Sequence, residues 1–149
     1  MIRVETTRFG TLEIPEATVI DFPGGLVGFP SETRFAFLQG KETDEIAHLQ
    51  SLFTPSIALP VIDGATFGSA YPQPSAAELA RGAGLPDGNL AVLVTIAATD
   101  VKQALCANLL APIVVDLTSR RAAQVVLDPR QYSTSTPVAV KVASEPGVA

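Results

Sequence analysis

Asn108-Leu109-Leu110-Ala111-Pro112-Ile113-Val114-Val115-Asp116 decides the fold, because a largely apolar run of this kind is typical of a buried β-strand. Two of its residues do not suit the interior of a strand. Pro112 has no amide hydrogen for a sheet ladder, which predicts that it lies on an edge strand or at a bulge. The side-chain amide of Asn108 needs partners for its donor and its acceptor unless it faces solvent. The stretch therefore indicates either an edge strand with a structural amide or a strand that takes part in binding.

Apolar blocks of strand length recur through the rest of the chain. They include residues 19–22, 35–38, 57–59 and 92–94. Turn-forming residues separate these blocks, as in Pro23-Gly24-Gly25 and Asp63-Gly64. Many short strands with frequent turns favour an antiparallel barrel or sandwich. For a chain of 149 residues we predict an all-β, mainly antiparallel fold, a small β-barrel-like single domain over residues 1–140.

One short helix is predicted to begin at Ser75. The sequence Ser75-Ala76-Ala77-Glu78 is a capping box, and Gly82 or Gly84 can adopt the left-handed conformation that ends a helix before Pro86. Residues 141–149 contain Ser, Glu, Pro and Gly, and we expect them to form a disordered tail.

The charge of the chain argues against direct binding of nucleic acid. The net charge is -5, and Trp is absent, so a phosphate backbone is repelled and a stacking surface is lacking. Residues 1–100 carry 12 acidic and 5 basic side chains, which predicts an acidic face. No apolar run approaches the ~20 residues of a membrane span. A single cysteine and the absence of a signal-peptide pattern predict a cytoplasmic protein.

The residues that carry catalysis or bind metals are sparse. His48 is the only histidine and Cys106 the only cysteine, and neither lies in a nucleophile or ligand pattern. Gly24-Gly25-Leu26-Val27-Gly28 lacks the lysine or helix of a phosphate-binding loop. The sequence therefore predicts no catalytic residue, no metal ligand and no cofactor.

Three segments beside the opening stretch carry a resemblance to a known family. Phe22-Pro23-Gly24-Gly25-Leu26-Val27-Gly28-Phe29, His48-Leu49-Gln50-Ser51 and Tyr132-Ser133 resemble, together with residues 108–116, the FliW family of bacterial flagellar assembly factors. The resemblance implies a compact β-barrel-like protein that is not an enzyme. It also implies two protein partners, the translational repressor CsrA and flagellin. In that scheme flagellin occupies the factor, and export of flagellin frees it to sequester CsrA and relieve repression of flagellin synthesis.

Polar residues among apolar neighbours are the candidates for the partner-binding surface, since they are either satisfied internally or line an interface. The predicted partner-binding residues are Gln50, Ser51, Asn108, Leu110 and Pro112. Two other function classes stay open. One is a small split-barrel protein or enzyme that binds a cofactor such as a flavin, and the other is an interaction module that has lost the regulator as its partner.

Overall fold

The computed structural model describes residues 1–40, 45–86, 88–99 and 104–139, and strands dominate this part of the chain. The strands are β1 (Ile2–Thr6), β2 (Gly10–Ile14), β3 (Val19–Asp21), β4 (Arg34–Gln39), β5 (Ala47–Ser51), β6 (Ala58–Asp63), β7 (Leu90–Ala98), β8 (Leu105–Ala107), β9 (Ile113–Asp116), β10 (Arg121–Gln124) and β11 (Thr136–Val138). Helix α1 spans Ala76–Gly82, and short 3-10 helices span Glu16–Thr18 and Gly64–Phe67. The predicted tail at 141–149 lies outside the described residues.

Seven of the strands close into a barrel in the order β3-β4-β5-β6-β7-β9-β10. Neighbouring strands are antiparallel except at the closure, where β10 pairs in parallel with β3 through Arg121 and Asp21. The far end of β7 continues past the barrel and pairs with β8, which pairs with β11. Strands β1 and β2 form a separate hairpin. The prediction of an all-β, mainly antiparallel, barrel-like fold is confirmed.

Alternate residues of the barrel strands fill its interior, as the period of two in a strand requires. The interior cluster contains Ile20, Phe22, Leu26, Phe35, Ala47, Leu49, Val61, Ile113, Val115 and Ala122. Phe22 and Phe35 meet edge to face, with ring centroids 5.3 Å apart. Closing the sheet leaves these strands without free edges, which suits a chain with so many strands.

Two patches of the outer face of the barrel are also covered. The β1–β2 hairpin packs Val4 and Ile14 against Val19 and Ala36. On another side, α1 packs Leu79 and Ala80 against residues of β7, β8 and β9. The chain therefore builds three small cores from one layer of sheet, and the ends of the barrel are left to loops.

Helix α1 begins as the sequence predicts. The Ser75 hydroxyl accepts from the Glu78 amide at 3.4 Å and donates to the Glu78 carboxylate at 3.1 Å. The helix ends where Leu85 N–H donates to Ala80 C=O, with Gly84 at φ 75°, in the left-handed region. This short helix is the only α-helix among the described residues.

The stretch 108–116 is not one strand, and this part of the prediction is wrong. Strand β9 begins at Ile113, and residues 108–112 connect it to β8. β9 is paired on both sides, with β7 and β10, so it is not an edge strand. Pro112 precedes the first residue of the strand, where its lack of an N–H costs no ladder bond, and its carbonyl accepts from Val125 N–H at 2.9 Å.

Candidate functional site

Strand directions bring all of the predicted partner-binding residues to one end of the barrel. The pairing of Phe35 with Ser51 and of Gln124 with Ile113 places the connections 22–33, 52–57 and 108–112 at that end. We call these three connections the loop end. Ser51 is the last residue of β5 and borders the connection 52–57, and Gln50 precedes it in the strand. Asn108, Leu110 and Pro112 belong to the third connection, so residues distant in sequence share one region.

A buried carboxylate joins the first two connections. Glu32 is 8% exposed, and its two oxygens accept from the hydroxyls of Ser51 and Thr54, the latter at 2.6 Å. The Ser51 hydroxyl also accepts from the amides of Phe53 and Thr54 at 3.0 and 2.9 Å. Glu32 N–H donates to Phe29 C=O. This one side chain therefore fixes the segment around Phe29 relative to the segment around Phe53.

A side-chain amide joins the first and third connections. The Gln124 Oε1 accepts from Val27 N–H at 2.8 Å, and its Nε2 donates to Ala111 C=O at 3.0 Å. Both halves of the amide are thus used, which fixes the side chain in place. The loop end is consequently a set of connected loops with a defined shape.

The connected loops display apolar side chains to solvent. Val27, Phe29 and Phe53 are exposed, with Phe53 at 57%, and we call these three residues the apolar tip. Val27 and Gly28 form a tight turn closed by the bridge between Leu26 and Phe29. Exposed aromatic side chains on a rigid support are typical anchors of protein interfaces. The apolar tip is therefore the best candidate in the described residues for partner contact.

Sequence reasoning missed the apolar tip and Glu32. Phe29 lies in a segment that also contains Phe22, and sequence alone does not tell that Phe22 is buried while Phe29 is exposed. A signal was present after Ser51, because an aromatic residue follows the end of an apolar strand and precedes Pro55. Such an aromatic is placed in a turn rather than in a core.

Gln50 lies in the interior of the molecule. It is fully buried on the outer face of β5, opposite Ala36 of the cluster that the β1–β2 hairpin covers. Its Nε2 donates to the carbonyls of Ser51 and Pro55 at 3.1 and 3.2 Å, and its Oε1 has no partner. Thr7 N–H of the hairpin donates to the same Pro55 carbonyl at 2.9 Å. The Pro55 carbonyl thus ties both the hairpin and Gln50 of β5 to the loop that carries Phe53, and a direct contact of Gln50 with a partner stays a prediction.

Asn108 shapes the third connection. Its Oδ1 accepts from the amides of Leu110 and Ala111 at 3.1 and 3.2 Å, and its own N–H donates to Thr95 C=O. This is the turn that an Asx side chain stabilises. Leu110 is half-buried and Pro112 is fully buried. Partner contact by these residues likewise stays a prediction, while their role in the turn is visible.

We expect the Gln50→Ala variant to lower the free energy of unfolding by about 2–4 kcal/mol, since it leaves a cavity and removes two hydrogen bonds. Asn108→Ala is expected to cost about 1 kcal/mol through the loss of its turn bonds. Urea denaturation measures both. Asn108→Asp is the matched control, because it keeps the accepting oxygen and should stay close to the parent. Equal effects of Asn108→Ala and Asn108→Asp would contradict the assigned role of Oδ1.

The two residues considered for catalysis, His48 and Cys106, are half-buried side chains on strands of the sheet. His48 is half-buried on β5, and its ring meets Phe9 of the hairpin edge to face at 5.1 Å. Cys106 is half-buried on β8. The described residues contain no group of three or more potential metal ligands. Glu42 and Asp44, weighed as an acidic cluster with Glu45, lie outside them.

Tyr71 supports the third connection from the side of α1. Its hydroxyl donates to Leu109 C=O at 2.8 Å, and burial, with a smaller effect of the nearby Tyr132, raises the pKa of Tyr71 well above its ordinary value. The phenol therefore stays protonated and keeps this bond.

No helix among the described residues is long and apolar enough to cross a bilayer.

Comparison with known proteins gives a consistent set of relatives. The profile described as FliW protein matches residues 3–138. The flagellar assembly factor FliW of Heliobacterium modesticaldum is 39% identical over 134 residues, 89% of this chain and 88% of that protein. That of Geobacter sulfurreducens is 33% identical over 138 residues, 91% of this chain and 86% of that protein.

A solved structure agrees with these relatives. It is described as the crystal structure of the flagellar assembly factor FliW, and it superposes with a TM-score of 0.75 at 27% identity. The superposition covers 91% of this chain and 96% of the other. The profile match over residues 3–138 spans the barrel and all three connections of the loop end.

Proposed function

The chain belongs to the FliW family of flagellar assembly factors, and from this membership we propose that it acts by binding two proteins, CsrA and flagellin. The observation that carries the proposal is the family match over residues 3–138, with relatives above 30% identity over most of their length. We propose further that it regulates rather than catalyses, and that it does so in the cytoplasm, where both partners are made.

The proposed mechanism is partner switching. While flagellin is bound, CsrA is free to repress flagellin mRNA. When flagellin is exported, the chain sequesters CsrA and repression is relieved. The two binding events are coupled, and any such coupling is reciprocal in free energy.

The surface charge supports a basic partner. Glu5, Glu13 and Glu16 are exposed on the hairpin and the turn after it. A hydrogen bond from the Thr11 hydroxyl, with the nearby Arg3, holds the pKa of Glu5 below its ordinary value, so this carboxylate is ionised at neutral pH. A net charge of -5 steers a basic RNA-binding protein toward the chain and repels the transcript itself.

The apolar tip supports a stable contact after the encounter. Val27, Phe29 and Phe53 offer apolar area that becomes buried in a complex, and the bonds of Glu32 and Gln124 hold their loops in place beforehand. Loops that are already ordered lose less conformational entropy on binding. We therefore place the centre of the proposed interface at the loop end.

Mixing the purified chain with CsrA of its organism is expected to give a stable complex on a sizing column. The complex should lower the affinity of CsrA for flagellin leader RNA. Association should slow with added salt, since the Debye length falls to roughly 8–10 Å near physiological ionic strength. The proposal fails if no complex forms at micromolar concentrations, or if the chain alone shifts the RNA.

A matched pair of variants locates the interface. Phe53→Ser removes an exposed aromatic of the apolar tip, and we expect it to weaken the complex at least about tenfold, as interface anchors do. Leu117→Ser removes an exposed apolar side chain from the turn after β9, at the other end of that strand from the third connection, and should leave affinity unchanged. The same preparation tests the split-barrel alternative, because a bound flavin would colour the protein yellow.

A further inference from the structure

A row of alternating charge crosses four neighbouring strands, from the far end of β9 to the border of the connection 22–33. Arg121 on β10 lies opposite both Asp116 on β9 and Asp21 on β3, and Asp21 lies opposite Arg34 on β4. The residues next to them in the chain fill the interior of the barrel, so the row is on the outer face. Cross-strand pairs of opposite charge stabilise such a row.

Both acids of the row are already engaged. Asp21 Oδ1 accepts from Arg34 Nε at 3.1 Å. Asp116 accepts from the hydroxyl of Ser119 and from two backbone amides of the turn that follows it. The Ser119 hydroxyl, as the largest cause, holds the pKa of Asp116 below its ordinary value. Neither carboxylate forms an ion pair with Arg120 or Arg121.

Two consecutive arginines in this region lack an ionic partner. Within the described ranges, Arg120 and Arg121 form no ion pair, and Arg120 Nε is buried without a hydrogen-bond acceptor. Ion pairs do engage Arg3, Arg34 and Arg130. A buried donor without an acceptor is costly, so an incoming acceptor that drew this side chain outward would relieve the cost.

The backbone of Arg120 is a second, independent observation. Its φ is 61°, and it is the only residue other than glycine with a positive φ among the described residues. Glycine or asparagine occupies such positions at lower cost. The conformation is fixed from both sides, because Arg120 N–H donates to Asp116 C=O and its carbonyl accepts from Asp21 N–H, each at 2.8 Å. An arginine at a position where glycine would cost less points to a use for its side chain.

We propose that Arg120 and Arg121 form a docking site for a short acidic segment of a partner protein, with the two guanidinium groups binding side-chain carboxylates. The planar guanidinium matches a carboxylate in two parallel hydrogen bonds. The net charge of -5 disfavours an extended polyanion such as RNA, whereas a short acidic segment needs only these two guanidinium groups, because Asp21 and Asp116 beside them are bonded to Arg34 and to the turn. The turn at residues 117–120 joins β9 and β10 at the ends opposite the third connection, and the proposal goes beyond the proposed function.

The test is a titration of the ¹⁵N-labelled chain with a peptide of four consecutive glutamates, at low salt and up to peptide concentrations on the order of millimolar. Saturable amide shifts are expected at residues 117–121. They should be absent with the glutamine version of the peptide and with single-stranded RNA. The Arg120→Gln, Arg121→Gln double variant should lose affinity about tenfold or more. Arg130→Gln is the matched control, because this exposed arginine pairs with Asp128, and it should bind as the parent does.

Arg120→Gly separates recognition from a structural role. Glycine suits the left-handed backbone, so we expect a melting temperature equal to or above that of the parent, together with loss of the peptide shifts. A lower melting temperature with unchanged peptide binding would overturn the proposal. Absent shifts at residues 117–121, shifts centred elsewhere, or equal shifts with RNA would also overturn it. None of these outcomes depends on whether CsrA or flagellin binds, so the proposed function is tested separately.

Discussion

Gly25→Ala is expected to lower the free energy of unfolding by about 3 kcal/mol or more, which removes much of the stability of a domain of this size. Gly25 has a φ of 70°, and a left-handed backbone costs an alanine roughly 1–2 kcal/mol. A Cβ at this position would also lie 2.3 Å from the carbonyl oxygen of Pro30, a backbone atom that cannot move aside alone. Urea denaturation followed by circular dichroism measures the loss.

Gly24→Ala is the matched control in the adjacent position. No heavy atom lies within 4 Å of a Cβ built on Gly24, and its φ is not positive. We expect this variant to stay within about 0.5 kcal/mol of the parent. If both alanine variants unfold at the same urea concentration, the left-handed backbone of Gly25 and its contact with Pro30 do not limit which residue can stand there, and the prediction is wrong.

Glu32→Ala is expected to lower the free energy of unfolding by about 3 kcal/mol and to weaken partner binding. The carboxylate accepts from Ser51 and Thr54, and bonds to charged groups each contribute roughly 1.5–3 kcal/mol. Its removal releases the segment that carries Phe53, so binding has to order that segment again. Chemical denaturation gives the first effect. Titration calorimetry with CsrA, below the unfolding transition, gives the second.

Two further variants define the role of Glu32. Glu32→Gln keeps the shape and one accepting oxygen and should fall between the parent and the alanine variant. Ser51→Ala, combined with Glu32→Ala, should cost less than the sum of the two single changes, because the second change removes a donor that has already lost its acceptor. Additive effects in this cycle would show that the bond between the two side chains contributes little. Glu13→Asp, which keeps the charge of an exposed carboxylate, should alter neither measurement.

The positions of the polar residues explain why the candidate site is only partly predictable from sequence. Gln50 and Ser51 stand out in sequence as polar residues in an apolar strand, and the structure uses both as internal supports of the loop that displays Phe53. A hydrogen-bonded support and a contact residue look alike in sequence. They differ only in which surface covers them, and here Gln50 is fully buried while the N-terminal hairpin packs on its cross-strand partner Ala36.

Local sequence determined the class of fold and several of its boundaries. Strand blocks such as 35–38 and 92–94, the capping box at Ser75 and the Pro-Gly turns depend on backbone preferences and on a period of two, which act over a few residues. Resemblance over nearly the whole chain determined the family. Neither required knowledge of which strands meet.

Tertiary structure alone decided which strand is central and which side chains face solvent. Pro112 indicated an edge strand, yet β9 is paired on both sides because the proline lies just before it. Phe22 fills the barrel while Phe29 is exposed, although one short segment contains both. Burial depends on the register of strands distant in the chain and on what packs over them. That information lies in the closure of the barrel and in no local stretch of sequence.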